Sequence, residues 1–95
     1  MSAYMVYVRD RIIDPAELKK YEDESAKIPA SNGLRPLALY GAVKTLEGPT
    51  VDGAVILEFP TVADAKAAYD DPNYQAIIKH RLKGAEYRVF IVDGM

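Results

Sequence analysis

Four short runs of this chain are apolar almost from end to end: "YMVYV" at 4–8, "LALYGAV" at 37–43, "AVILEF" at 54–59 and "VFIV" at 89–92. A strand with one face in water alternates apolar and polar residues, whereas a strand dry on both faces reads as a continuous apolar run. If these runs belong to one sheet, both faces of that sheet need cover. That requirement limits the fold more than any other feature of the sequence.

Helices supply part of the cover, and their starts are written clearly. Asp14 can cap a helix, Pro15 suits its first position, and Glu17 completes a capping box. Leu18, Tyr21, Ser25 and Ile28 then recur at helical spacing, with Lys19, Lys20, Glu22, Asp23 and Glu24 on the other faces. Pro29 and "SNG" at 31–33 stop the pattern, which predicts a helix over 15–28. Thr61 with Asp64 repeats the capping logic. Asp71-Pro72 interrupts and restarts that second helix, which runs to about Leu82 or Lys83, with Gly84 as its stop.

Strands are expected at 3–9, at 34–47 with Pro36 marking an edge or a start, at 54–59 and at 86–92, with "GPTVDG" as a turn at 48–53. The order is strand–helix–strand–strand–helix–strand. This is the α+β, ferredoxin-like βαββαβ pattern, with one four-stranded antiparallel sheet and its helices on one face. Two helices dry only one face. A second copy of the chain is the simplest cover for the other, since a bare apolar patch of several hundred Å² is unusual on a soluble monomer. The competing expectation leaves some sheet exposed, or folds the long second strand over it.

The segment "FPTVADAKAAYDDPNYQAIIKHR" resembles the signature of the bacterial domain of unknown function 1330 family, in Phe59-Pro60, Tyr69, Pro72, Tyr74 and Arg81. "GLRPLALYG" is similar to that family's glycine-rich second strand at Gly33, Arg35, Leu37 and Gly41, followed by "LEG" at 46–48. The chain departs from the pattern at Leu34, at Leu39, which replaces a frequent arginine, and at Tyr40, which replaces a glycine. An anion-binding role for that arginine therefore does not carry over. The resemblance implies a dimeric α/β barrel, in which two ferredoxin-like sheets pack face to face.

Chemistry is only thinly marked. A net charge of −2 and pI ≈ 5.3 give no basic footprint for nucleic acid. The absence of cysteine excludes disulfides and thiol chemistry and suits a reducing cytoplasm. No secretory leader or membrane span is expected from "MSAYMVYVRDR". There is no phosphate loop and no nucleophile elbow, and one histidine cannot build a multi-histidine metal site. Neither metal nor cofactor is expected.

On a helical wheel Tyr74, Ile77, Ile78 and Arg81 share a stripe, and His80 lies about 110° off it. His80 is therefore read as a solvated surface residue. Arg81 has three readings: a packed stem with its head in water, a structural ion pair or cap, or a grip on a ligand anion. Glu58 is the other anomaly, either a buried base or a partner for Arg9, Arg35 or Arg81. Glu58 and Arg81 are the candidates for catalysis, neither strongly marked. Arg81, Tyr69, Tyr74, Tyr40, Tyr7 and Arg35 are the candidate ligand contacts.

The expected function is binding of a small organic molecule, anionic or aromatic, between sheet and helices of a homodimer. The alternatives are a cofactor-independent monooxygenase or isomerase, an activity found among dimeric α/β barrels, and a dimerisation module without a ligand. A cavity of at least ~300 Å³ beside Arg81 and Glu58 separates the first two from the third.

Overall fold

The computed structural model describes residues 2–95. The elements run β1 (Ala3–Ile12), α1 (Pro15–Ser25), β2 (Arg35–Leu39), β3 (Gly53–Phe59), α2 (Val62–Asp70), α3 (Pro72–Gly84) and β4 (Ala85–Asp93). The four strands form one antiparallel sheet in the order β2-β3-β1-β4, the ferredoxin-like arrangement that the element order predicts. Among the described residues no helix is long and apolar enough to cross a membrane.

The helix starts follow the sequence. Asp14 accepts from the N–H groups of Ala16 and Glu17 at 3.0 and 3.3 Å. Thr61 accepts from the Asp64 N–H at 3.1 Å, and Asp71 from the Asn73 N–H at 2.8 Å. Asp71 itself is extended (φ −52°, ψ 128°), as a residue before proline prefers, so α2 and α3 are separate helices.

Four expectations are corrected. Helix α1 ends at Ser25 rather than Ile28: the Ser25 hydroxyl bonds back to the Glu22 carbonyl at 3.1 Å, and Lys27 and Ile28 bond three residues back in tight turns. Strand β2 covers only Arg35–Leu39 of the expected 34–47, because Tyr40 turns the chain away with φ +53°. Strand β1 runs on to Ile12 through a bulge between Arg9 and Arg11. Gly84 is the last residue of α3 rather than a stop beyond it. It is needed for close approach, since a Cβ there would lie 2.6 Å from the Leu18 nitrogen. Its carbonyl takes the N–H groups of Ile13 and Asp14 at 2.8 and 2.9 Å, pinning the start of α1 to the end of α3.

Period-two alternation sends Ala3, Met5 and Tyr7 of β1 and Gly53, Val55 and Phe59 of β3 to the helix side, where all six are buried. Phe59 and Met5 are the largest fully buried side chains, and Phe59 is only 1% exposed. The opposite face has no helix on it. Ile56, Phe90 and Val92 are exposed there, Phe90 by 49%. Charged pairs sit on the same face at two corners: Arg88 forks onto Asp10 at 3.0 and 3.1 Å, and Arg35 lies 3.7 Å from Glu58. The shortest dimension, 17 Å, is that of one sheet and one helix layer.

Candidate functional site

A cavity of ≈ 640 Å³ opens between the helix side of the sheet, α1, the start of α3 and the segment 28–34. Its floor is built by register: Met5 pairs with Leu57 and Tyr7 with Val55, and Phe59 continues the β3 row, so all five side chains share one face. At the far end of the same rows Arg9 stands opposite Gly53. A Cβ on Gly53 would meet the Arg9 guanidinium at 3.0 Å and the Tyr40 ring at 3.1 Å, so glycine makes the space they occupy.

The wall is made of tyrosine. Tyr21 comes from α1, Tyr69 from the end of α2 and Tyr74 from the first turn of α3. Tyr7 donates its hydroxyl hydrogen to the Tyr74 oxygen at 3.0 Å, and the hydroxyls of Tyr21 and Tyr74 are 2.7 Å apart. Tyr74 is thus the hub of three phenols from three elements. Its ring meets Tyr21 edge-on at 6.2 Å and is tilted against Tyr69 at 5.7 Å, geometries that suit aromatic quadrupoles. Burial, aided by Tyr74, pushes the pKa of the Tyr7 and Tyr21 phenols well above the ordinary tyrosine value, so both stay protonated.

Arg81 lies behind this wall. Two turns beyond Tyr74 on the same face of α3, it is only 3% exposed. Its guanidinium stands over the rings of Tyr87, Tyr7 and Tyr21 at 5.0, 5.6 and 5.8 Å. The buried Nε has no hydrogen-bond partner, and none of the ion pairs among the described residues includes Arg81. The burial excludes a head lying in water, and the missing carboxylate excludes a structural ion pair. What holds the cation is a cage of π faces.

At the mouth Arg9 binds Asp52 at 2.6 Å and lies 4.8 Å over the Tyr40 ring. The Tyr40 hydroxyl is 2.7 Å from that of Tyr87, and burial together with this bond raises the Tyr40 pKa. The φ of +53° places Tyr40 in the left-handed region that side chains other than glycine seldom adopt.

The structure brings Tyr7, Tyr40, Tyr69 and Tyr74 to the cavity and places Arg81 one layer behind it. Arg35 and Glu58 lie on the opposite face of the sheet, joined to each other. Sequence reasoning missed Arg9 and Tyr21 as lining residues. Tyr21 passed as core on the α1 stripe, although a stripe that also holds Ser25 offers hydroxyls on its buried side. His80 needs correction as well. It is 25% exposed and its Nδ1 is 2.8 Å from Glu17, so it joins α3 to α1 instead of lying in solvent. The wheel placed His80 off the stripe of Tyr74, Ile77, Ile78 and Arg81 correctly, but α1 also reaches that flank of α3 through Glu17. Glu17, spent on His80 and Lys20, does not close the capping box, and the Asp14 N–H goes to Gly84 instead.

Solved structures share this architecture. A protein of unknown function from Rhodopseudomonas palustris, RPA0582, superposes with a TM-score of 0.70 at 22% identity, over 99% of this chain and 82% of its own. A protein of the ethyl tert-butyl ether d (EthD) family from Bacillus halodurans gives 0.64 at 14% identity, with both chains fully covered. A Bacteroides fragilis protein described as dimeric, of unknown function and with a ferredoxin-like fold, gives 0.59 at 14% identity, over 98% of this chain and 96% of its own. These likenesses show the fold. No curated protein matches the chain. The sequence match covers residues 2–95 from end to end, and the chain belongs to the family of the domain of unknown function DUF1330.

Proposed function

We propose that this protein is a small-molecule binder that works as a homodimer and takes an apolar or aromatic molecule with one polar end into the cavity between sheet and helices. The observation that carries this reading is the cavity itself, ≈ 640 Å³, with an apolar floor and hydroxyls converging at one end. That size and chemistry match ligand pockets generally. A module built only to dimerise has no use for such a space. A catalytic version, oxidation or isomerisation without a cofactor, draws on the fold alone and finds no base in His80, which faces α1.

The dimer reading rests on the uncovered sheet face, where Val6, Val8, Ile56, Phe90 and Val92 form an apolar centre between the charged corners. The dimeric B. fragilis protein has a similar fold. A sheet-on-sheet interface of about 1,200–2,000 Å² in total would cover this face. The lack of cysteine suits a reducing compartment such as the cytoplasm.

Native mass spectrometry of protein from its own cells tests the binding. A small molecule should be retained, and Leu57→Trp, which fills the floor, should lose it. Equal retention by Leu57→Trp sinks the cavity as the binding site.

A further inference from the structure

The unpaired guanidinium under the tyrosine wall calls for a specific kind of ligand. Arg81 keeps its charge at any physiological pH. It is almost completely buried, with an unpartnered Nε and no carboxylate beside it. Tyr7 and Tyr21, whose rings it touches, remain neutral phenols and supply no counter-charge. A buried cation without an anion is costly, and the field it casts through low-dielectric rings is little screened.

The hydroxyls carry that field into the cavity. Tyr7 gives its hydrogen to Tyr74, and when Tyr21 does the same, the Tyr74 hydrogen is free to donate to a ligand. A single donor, strengthened by two phenols behind it and a cation beyond them, suits one oxygen bearing charge. We infer that the Tyr74 hydroxyl anchors the oxygen of a phenolate or enolate, with Arg81 as its buried countercharge, so that the cavity selects the anion over the neutral molecule. This deepens, and rests on, the reading of the cavity as a binding site.

The other charged groups at the cavity do not replace this pair. Arg9 is neutralised by Asp52. Glu22 is exposed and screened by solvent, and Asp71 is half-buried, its carboxylate engaged by the Asn73 N–H.

The test uses 4-nitrophenol, whose ionisation is visible in its absorbance, with nitrobenzene as the neutral probe of similar shape. The dye should ionise at lower pH when bound, by about one pH unit or more. This corresponds to at least about tenfold preference for the anion, as expected for a hydrogen bond to a charged oxygen. Tyr74→Phe, which keeps the ring, should remove most of that preference while nitrobenzene binding stays within about twofold. Arg81→Met should do the same wherever circular dichroism shows it folded; Tyr74→Phe decides the matter if it is not.

The inference is overturned if bound dye ionises at the same or a higher pH than free dye. It is equally overturned if the preference survives Tyr74→Phe, including the case where Arg9→Met removes it instead. Nitrobenzene bound without anion preference defeats this inference alone. Failure of both probes to bind defeats the cavity reading with it.

Discussion

The two faces of the sheet are made from nearly the same residue types, yet they end in opposite states. On the helix side Met5, Val55 and Phe59 are buried, and what they leave open is a shaped cavity ringed by tyrosines. On the other side Ile56, Phe90 and Val92 are exposed, between charge pairs at the corners. The centres of the strands are apolar on both sides; the difference lies in what packs against them. Hydrophobicity therefore marks a surface as needing cover, but polar groups placed among the apolar ones mark which cover holds a site.

The contrast breaks most visibly at its two phenylalanines. Phe59→Ala should cost about 3–5 kcal/mol in denaturant unfolding, because it removes a fully buried aromatic ring between sheet and helices. That loss should be independent of protein concentration at fixed assembly state. Phe90→Asp should act through association instead, weakening it by about 2 kcal/mol or more. Light scattering at micromolar concentration should then fall from twice the chain mass to the 10.5 kDa of one chain. If the wild-type chain already scatters as 10.5 kDa, the outer face needs another explanation.

Smaller changes sharpen the account of the helix side. Gly84→Ala forces a Cβ against the Leu18 backbone and should cost about 1–3 kcal/mol, felt as loosening of α1 from α3. Unchanged midpoints would mean that the two helices separate freely. Asp71→Ala removes the cap that restarts α3 and should cost about 0.5–2 kcal/mol. Since α3 carries both Tyr74 and Arg81, the variant should also weaken ligand retention.

The smallest effect concerns Glu17, whose hydrogen bond from His80 holds its carboxyl below the ordinary value, helped by Lys20. A depressed folded-state pKa stabilises the protein above the unfolded value and loses that contribution as pH falls through the folded one. His80→Gln should therefore move the Glu17 titration, followed by NMR, up toward 4.5, its unperturbed value. No movement would show that Lys20 alone sets it.

Local signals were legible where one segment decides its own structure. The caps at Asp14, Thr61 and Asp71 use their own neighbours, so short-range chemistry settles them. The second strand misled, because whether 40–47 pairs depends on the backbone turn at Tyr40 and on a partner strand far away in sequence. His80 misled for a similar reason: a wheel built on one neighbour ignores the flank packed against α1. Tyr74 and Arg81 could be named as candidates, but their relation could not. Tyr7, Tyr21 and Tyr74 stand 14 and 53 residues apart along the chain and meet only when three elements converge.

The sequence by itself determined the element order and the helix starts, because periodicity and capping act over a few residues. Only the tertiary structure decided which face became a cavity, that Arg81 is caged without a carboxylate, and that Glu58 lies on the far side with Arg35. Those outcomes depend on strand register and on packing between distant segments. A shift of one residue in register would send every side chain of a strand to the other face.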